Sequence, residues 1–255
     1  MKTVSGLPSS VIGVLGIFFL LVFFSFPGSA LSAAPQGAEE AMAKKLTAGI
    51  HWLGHDSFRI DGEGVVIYLD PFKLKEGPKA DLILITHDHQ DHASPADVAK
   101  IQKPDTVIVT TAKAAEKLTG EIKTVKPGEE LTVKGVKIQT VPAYNVNKFR
   151  SPGVPFHPKE VGNVGFIITV KGVRIYQAGD TDFIPEMKGL APDVALLPVS
   201  GIYVMTAEEA VEAAAAINPK VAVPMHVGEH IGSLADAQRF QEKASVPVII
   251  LPIEK

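Results

Sequence analysis

Hydrophobic residues are grouped along this chain in two ways, as one long run near the N-terminus and as many short runs after Leu46. Several short runs are rich in Val and Ile, as expected of strands, and segments with a helical period lie between them. Leu82–Thr86 is apolar almost throughout, which is typical of a strand buried on both faces. The pattern predicts helices at Thr206–Ile217 and Ser233–Lys243 and a last strand at Val246–Leu251. Strands that alternate with helices, after an antiparallel start in each half, predict an α/β domain of two similar halves.

The segment Ala143–Gly162 interrupts this alternation. It contains Pro152, Pro155 and Pro158 together with Gly153, and this composition predicts a long loop rather than a helix or strand. Long loops in compact domains more often have a function, such as that of a lid over a site, than none. We therefore expect this loop to face a substrate.

The long N-terminal run, Val11–Phe26, follows Lys2 and gives way to small residues that include Gly28 and Ala30. This order predicts an export signal at residues 1–30, and hence a periplasmic or secreted protein. The alternative is a retained membrane anchor that holds the protein outside the cytoplasm, although an apolar run of this length is marginal for spanning a bilayer. Residues 31–45 are predicted to be a linker, and residues 46–255 the folded domain.

Composition restricts the chemistry more than the fold. The 255-residue chain has a formal net charge of −3, which gives no reason to expect nucleic-acid binding, or membrane binding beyond the N-terminal segment. It contains no cysteine, so neither a disulfide nor a thiolate metal ligand is available. Any metal ion must therefore be held by His, Asp, Glu or Asn side chains.

A cluster of metal-ligand residue types follows directly after the buried strand Leu82–Thr86. It comprises His87, His89, Asp91 and His92. Loops at the carboxyl ends of strands in α/β sheets are where ligands gather, and imidazole and carboxylate groups bind Zn²⁺ and similar ions. The alternative is a solvated polar loop with helix-capping acids, but the whole cluster in this position favours a metal site.

The cluster reads His-x-His-x-Asp-His, and it resembles the signature of the metallo-β-lactamase superfamily. Other short segments along the mature chain resemble turns and loops of the same family. They are Gly54–Phe58, Leu69–Pro71, Ala178–Thr181 and Pro224–His226. The resemblance implies a four-layer αβ/βα sandwich, and it is strongest to the small metal-dependent hydrolases that include ascorbate-phosphate lactonase-like proteins.

The resemblance also implies a ligand set. His87 and His89 would bind a first ion, Asp91, His92 and His226 a second, and Asp180 would bridge the two. The family usually supplies a third His for the first ion after a Pro-Ala segment. At that place this chain has Asn145, so either Asn145 or His157, farther along the same loop, is the candidate third ligand. If neither binds, the first site would be weak and the enzyme would work with one ion.

The implied function is hydrolysis of an ester, lactone or phosphodiester by a hydroxide that bridges two metal ions. Asp91 would orient the hydroxide and pass a proton to the leaving group. His55 and Tyr203 are candidates for contact with the substrate or for support of the ligands. Two Zn²⁺ ions are expected, although Mn²⁺ and Fe²⁺ suit the same side chains. The expected partner is a small-molecule substrate, and the sequence leaves the oligomeric state open.

Three alternatives share this fold. One is a di-iron protein, whose relatives resemble His-x-Glu-x-Asp-His, whereas this chain has His89 in place of the Glu. Another is a nuclease, which the slightly acidic composition disfavours. The third is a non-catalytic relative that binds only a metal or a ligand, and the departure at Asn145 keeps it open.

Overall fold

The first of two six-stranded sheets is built from the N-terminal half of the domain. In this computed structural model, residues 36–62, 64–228 and 231–254 are described. The sheet has the order β1-β2-β3-β4-β5-β6, antiparallel from β1 to β3 and parallel from β3 to β6. Its strands are β1 (Ile50–Gly54), β2 (Ser57–Asp61), β3 (Val66–Leu69), β4 (Leu82–Ile85), β5 (Val107–Thr110) and β6 (Glu121–Thr124).

The second sheet comes from the C-terminal half and repeats the change from antiparallel to parallel pairing. Its order is β14-β13-β12-β11-β8-β7, with parallel pairs from β12 to β14. Its strands are β7 (Glu130–Val133), β8 (Val136–Pro142), β11 (Val164–Val170), β12 (Val173–Gln177), β13 (Val194–Pro198) and β14 (Val221–Met225). The two similar halves predicted from the sequence are therefore present.

The strand β4 shows how the layers are stacked. Leu82 and Leu84 face the main core between the sheets, whereas Ile83 and Ile85 face a second core on the outer side of the first sheet. Helices α2 (Pro95–Ile101) and α3 (Ala112–Ala115) cover that outer side, and α4 (Ala207–Ile217) and α5 (Leu234–Lys243) cover the second sheet. This stacking confirms the four-layer αβ/βα sandwich, in which a strand with two buried faces must be apolar throughout.

The structure differs from the sequence-based expectation at both ends of the domain. Residues 36–45, which we predicted to be linker, form most of α1 (Gln36–Thr47), whose Ala43 is only 1% exposed and packs on the main core. The predicted strand Val246–Leu251 is wrong, because only Val248 forms an isolated bridge, to Ala222. Pro247 lies within the predicted strand and Pro252 directly follows it, and neither can donate to a strand ladder.

The predicted loop Ala143–Gly162 is mostly irregular, but it contains a small hairpin of β9 (Phe149–Ser151) and β10 (Val154–Pro155) and one turn of 3₁₀-helix at Lys159–Val161. The predicted export signal, residues 1–30, lies outside the described residues and stays a prediction. Within the described part of the chain, no helix is both long and apolar enough to cross a bilayer.

Candidate metal centre

The His-rich loop leaves the first sheet at the carboxyl end of β4. The backbone carbonyl of His89 accepts hydrogen bonds from the N–H groups of His92 and Ala93, at 3.1 and 2.7 Å, and this closes a tight turn. The turn brings three imidazoles together, with the ring centroid of His87 lying 4.6 Å from that of His89 and 4.1 Å from that of His92. Three histidines within six consecutive residues thus form one compact cluster.

The second sheet contributes Asp180 after β12 and His226 after β14. Gly179 has φ +65°, and a Cβ atom there would lie 3.1 Å from the side chain of Thr86. A glycine therefore allows the Asp180 loop to approach the His-rich loop closely. The N–H of His226 donates to the carbonyl of His55 at 3.2 Å, which ties the end of β14 to the β1–β2 turn.

The ligand-type side chains form two groups, and in each group four potential ligand atoms lie within 4.8 Å of one another. The first group is His87, His89, His157 and Asp180. The second group is His55, Asp56, His92 and His226. Every member is buried except His55 and His89, which are partly buried.

Asp180 lies between the two groups. Its Oδ2 is 3.3 Å from His157 Nε2 and 3.9 Å from His87 Nε2, on the side of the first group. Its Oδ1 is 3.4 Å from His92 Nε2 and 3.5 Å from His226 Nε2, on the side of the second group. One carboxylate therefore presents an oxygen to each group, as a bridging ligand must.

Several buried polar atoms that face this centre have no hydrogen-bond partner among the described residues. They are Nε2 of His87, His92 and His226, Oδ1 of Asp180 and both carboxylate oxygens of Asp56. Buried polar atoms are almost always paired, because an unpaired one loses its hydration without compensation. Lone pairs of nitrogen and oxygen that converge in this way fit divalent metal ions, which would satisfy all of them together.

In four of the histidines, Nδ1 forms a hydrogen bond with a residue on the side away from the centre, and Nε2 faces the centre. Such a contact on Nδ1 sets the tautomer and leaves the Nε2 lone pair for a metal. The pairs are His87 with Thr86 at 2.9 Å, His92 with Asp70 at 3.0 Å, His157 with Asn145 at 2.9 Å and His226 with Ser200 at 2.8 Å.

Asp70 accepts several of the hydrogen bonds that support these histidines. Besides His92, it accepts hydrogen bonds from the backbone N–H and the hydroxyl of Thr86, both at 2.8 Å, and from Gln177 at 3.0 Å. Because Thr86 also contacts His87, one buried carboxylate orients a histidine of each group.

Burial sets the charge states of the first group. It lowers the pKa of His157 to about 4, and burial together with the nearby His92 lowers the pKa of His87 well below its usual value. Both imidazoles are therefore neutral at pH 7, as metal ligands must be. Burial opposes ionisation of Asp180, but His226 and His92 beside it outweigh this cost and hold its pKa well below the usual range. In the second group, burial raises the pKa of Asp56 to about 6.

Comparisons with known proteins agree with this geometry. Residues 49–226 match the family described as the β-lactamase superfamily domain. A UPF0173 metal-dependent hydrolase of Thermoplasma acidophilum is 34% identical over 226 residues, covering 81% of this chain and 96% of the relative. The chain belongs to the metallo-β-lactamase superfamily.

Two solved structures have a similar fold. One, described as a metal-dependent hydrolase from Parabacteroides distasonis, is 34% identical, covers 80% of this chain and 93% of its own, and has a TM-score of 0.69. Igni18, a metallo hydrolase from Ignicoccus hospitalis, is 24% identical with a TM-score of 0.64, covering 81% of this chain and 95% of its own, and supports the fold alone. The chain is thus a metal-dependent hydrolase of the metallo-β-lactamase superfamily, while the ascorbate-phosphate lactonase-like subgroup stays a prediction.

The structure distinguishes the two candidates for the third ligand of the first group. His157 Nε2 lies 3.3 Å from both His89 Nδ1 and Asp180 Oδ2, so His157 stands among the other members of the first group. Asn145 lies behind it, and its Oδ1 accepts from the backbone N–H and Nδ1 of His157 at 2.8 and 2.9 Å. In this member of the superfamily, Asn145 contacts the histidine instead of replacing it.

Asp91 and His55 lie together at the rim of the second group. Their side chains are 3.0 Å apart, between Asp91 Oδ2 and His55 Nε2, and Asp91 Oδ2 is 4.0 Å from His92 Nε2. Asp91 is not in either group of four, so its assignment as a ligand of the second ion stays a prediction. Its carboxylate is about a third exposed and is accessible from the solvent side.

The sequence did not identify Asp56 as a site residue, and it gave Tyr203 only as a candidate for contact with the substrate or for support of the ligands. Asp56 is fully buried in the second group, where its pairing with His226 depends on the meeting of β1 and β14 from opposite sheets. Its local pattern, a turn between two strands, gave no sign of this.

The carbonyl of Tyr203 accepts from Asn145 Nδ2 at 2.8 Å, and the Tyr203 ring contacts that of Phe156 with centroids 4.6 Å apart. Tyr203 therefore supports the first group from outside.

Proposed function

We propose that the chain is a dinuclear hydrolase, with Zn²⁺ as the resident metal, that cleaves an ester, lactone or phosphodiester bond in a small molecule. The observation that carries this proposal is the pair of four-residue groups that meet at the two oxygens of Asp180. Six of the eight group members are histidines, a nitrogen-rich set that suits zinc better than magnesium or calcium.

Bound metal ions would supply an electrophile for the substrate oxygen and an activated water. The protein's part is to hold the ligands in place, and Asp180 sets the spacing between the two groups. Thr86, Asp70, Asn145 and Ser200 fix the imidazoles from behind. A preorganised site of this kind avoids reorganisation during the reaction.

Asp91 is the residue best placed to move protons. Burial would raise its pKa, but the hydrogen bond from His55 and the nearby His92 outweigh this effect and hold the pKa well below the usual range. The carboxylate is therefore ionised at neutral pH, where it would orient the attacking water by accepting a hydrogen bond from it. Because a low pKa makes it a weak base, it would hold a proton only transiently on the way to the leaving group.

We also propose that the protein acts after export, as the N-terminal pattern indicates. The test is to express the full chain in a bacterial host and to sequence the N-terminus of the mature protein. A new N-terminus close to residue 31 in the soluble exported fraction supports cleavage. An intact N-terminus in the membrane fraction supports the anchored form.

The direct test of the catalytic proposal combines metal analysis with a substrate panel. Protein purified without chelators should contain close to two equivalents of zinc and hydrolyse some member of a panel of esters, lactones and phosphodiesters. His89→Ala should lower both the bound metal and the rate by orders of magnitude. His51→Ala is the matched control, since His51 pairs with Asp61 and Glu254 and belongs to neither group. Absence of metal after reconstitution, or an unchanged rate in His89→Ala, contradicts the proposal.

A further inference from the structure

A cavity of about 470 Å³ lies beside the second group. Its walls come from the end of β1, from the segment that follows β3 and from the segment that follows β14. Small-molecule sites have volumes of about 300–1,000 Å³, so this cavity has room for part of a ligand.

The cavity and the metal centre share residues of the same two turns. Gly54 and His55 line the cavity and directly precede Asp56, and Val227 lines it directly after His226. His55 belongs to both the cavity wall and the second group. A molecule held at the second group can therefore extend into this space.

The lining is mainly apolar. The residues that contribute hydrocarbon surface include Leu53, Phe72, Leu74, Val227 and Leu234. The edge of the Phe72 ring meets His55, with the ring centroids 5.8 Å apart, and Leu234 is 52% exposed where α5 begins. Leu234 therefore adds apolar surface to the cavity that is accessible from the solvent.

The charged residues of the cavity are partly compensated within the protein. Arg59 Nε is 3.0 Å from Asp61 Oδ1, and one of its terminal nitrogens is 4.0 Å from Glu254. Arg59 is therefore already paired, and the other charged residues of the lining are Lys73, Lys75, Glu76 and Glu254.

A smaller cavity, of about 220 Å³, lies beside His89. Its lining includes the charged residues Asp88, Lys113 and Arg150, but also Val154, Phe156 and Val161. The two cavities therefore differ in volume rather than in the kind of residue that lines them, and the roomier one lies next to the second group.

We propose that the large cavity binds a hydrocarbon chain of the substrate, so that the enzyme acts on an ester or lactone that carries an aliphatic chain of several carbon atoms. This inference rests on the proposed hydrolase function for the reaction. The chain would lie against Leu53, Phe72 and Leu74, while the bond to be cleaved would lie at the metal centre.

The test uses the metal-loaded protein and straight-chain carboxylates from acetate to octanoate, which are products of such esters. Calorimetric titration should give an affinity that rises about fourfold for each added methylene until the cavity is full. Hydrolysis of the matching p-nitrophenyl esters should show the same trend in kcat/KM.

Leu234→Ser and Leu74→Ser should each weaken octanoate binding about tenfold and leave acetate binding unchanged, because they remove apolar wall without touching the metal ligands. Leu234 is exposed, so its replacement is compatible with folding. Met42→Ser is the control, since Met42 is an exposed apolar residue on α1 that does not line the cavity.

An affinity that does not depend on chain length, or a dependence that both leucine variants retain, overturns this inference. The outcome is separable from that of the proposed function. Hydrolysis without chain-length dependence leaves the hydrolase standing and removes the chain site. Chain-length-dependent binding without hydrolysis of any ester supports the chain site and contradicts the proposed hydrolase function.

Discussion

The two halves of the metal centre are built on different supports. The second group takes Asp56 from the β1–β2 turn and His226 from the end of β14, and a hydrogen bond joins these two turns. The first group takes His87 and His89 from the end of β4, but its remaining histidine, His157, comes from the long segment Ala143–Gly162. Loops deform more readily than strand ends, because fewer ladder hydrogen bonds hold them. The first group should therefore be the half whose metal affinity depends on the surrounding loop.

The halves also differ in the balance of nitrogen and oxygen. The first group has three imidazoles and one oxygen of Asp180, whereas the second adds the carboxylate of Asp56 to three imidazoles and faces the other oxygen of Asp180. Extra carboxylate charge favours retention of a divalent cation. Both differences point in the same direction, and we expect the second group to hold its ion more tightly.

Removing the shared carboxylate should have the largest effect, because it acts on both halves. Asp180→Asn should reduce bound metal to less than one equivalent and lower the hydrolysis rate by about a thousandfold or more, since bridging ligands set the spacing of the ions. Elemental mass spectrometry and a rate assay measure the two effects. Asp193→Asn is the matched control, as Asp193 pairs with Lys220 far from the centre. Retention of both ions in Asp180→Asn would show that the groups bind independently.

Removing one histidine from each half should change metal binding at the two groups to different extents. His157→Ala should lose about one metal equivalent and keep the ion of the second group, because the other first-group ligands remain in place. His226→Ala should be more damaging, since it leaves Asp56 buried with less opposite charge beside it. Metal titration with a competing chelator measures both affinities. If His157→Ala keeps both ions at unchanged affinity, His157 is not a ligand.

The same contrast shows what the sequence could and could not predict. His87, His89 and His92 could be predicted because they lie close together directly after an apolar strand. The local sequence is enough to identify such a cluster. Asp180 and His226 needed the family resemblance, since each alone looks like an ordinary turn residue. His157 was predicted only as one of two alternatives with Asn145, because which of them enters the centre depends on how the long loop folds back.

The fold shows a similar limit. The strand β4 was predictable because burial on both faces requires an apolar run. The strand β6 was missed, because it lies at the edge of the first sheet with mostly exposed residues, and an edge strand carries little hydrophobic pattern. Helix α1 was interpreted as linker because its residues are small and polar, although Ala43 packs on the core. Contacts between distant segments decide these cases.

Asn145 should have an intermediate effect confined to the first half. Its Oδ1 fixes the backbone and the imidazole of His157, and loss of such an orienting partner typically costs about 10- to 100-fold in metal affinity. Asn145→Ala should weaken binding of Co²⁺ to the first group by that amount, whereas Asn145→Asp, which keeps an acceptor oxygen, should restore most of it. The visible spectrum of bound Co²⁺ reports the geometry independently of activity. Equal Co²⁺ affinity in Asn145→Ala and the unaltered protein would mean that His157 holds its position without this contact.

The smallest effect should come from the outer anchor of the loop. Lys148 Nζ is 2.6 Å from Glu209 Oε2 at the start of α4 and 3.6 Å from Asp182 Oδ1, and its side chain is 16% exposed. An ion pair near the surface contributes up to about 1 kcal/mol, so Lys148→Met should weaken metal binding at the first group by about fivefold at most and leave the second group unchanged. Lys243→Met is the control, because it breaks a comparable contact with Glu208, at 2.7 Å, that does not hold the loop. Competition titrations of both variants measure the difference. An equal loss of affinity at both groups would mean that the loop supports the whole centre, and that the two halves are not separately held.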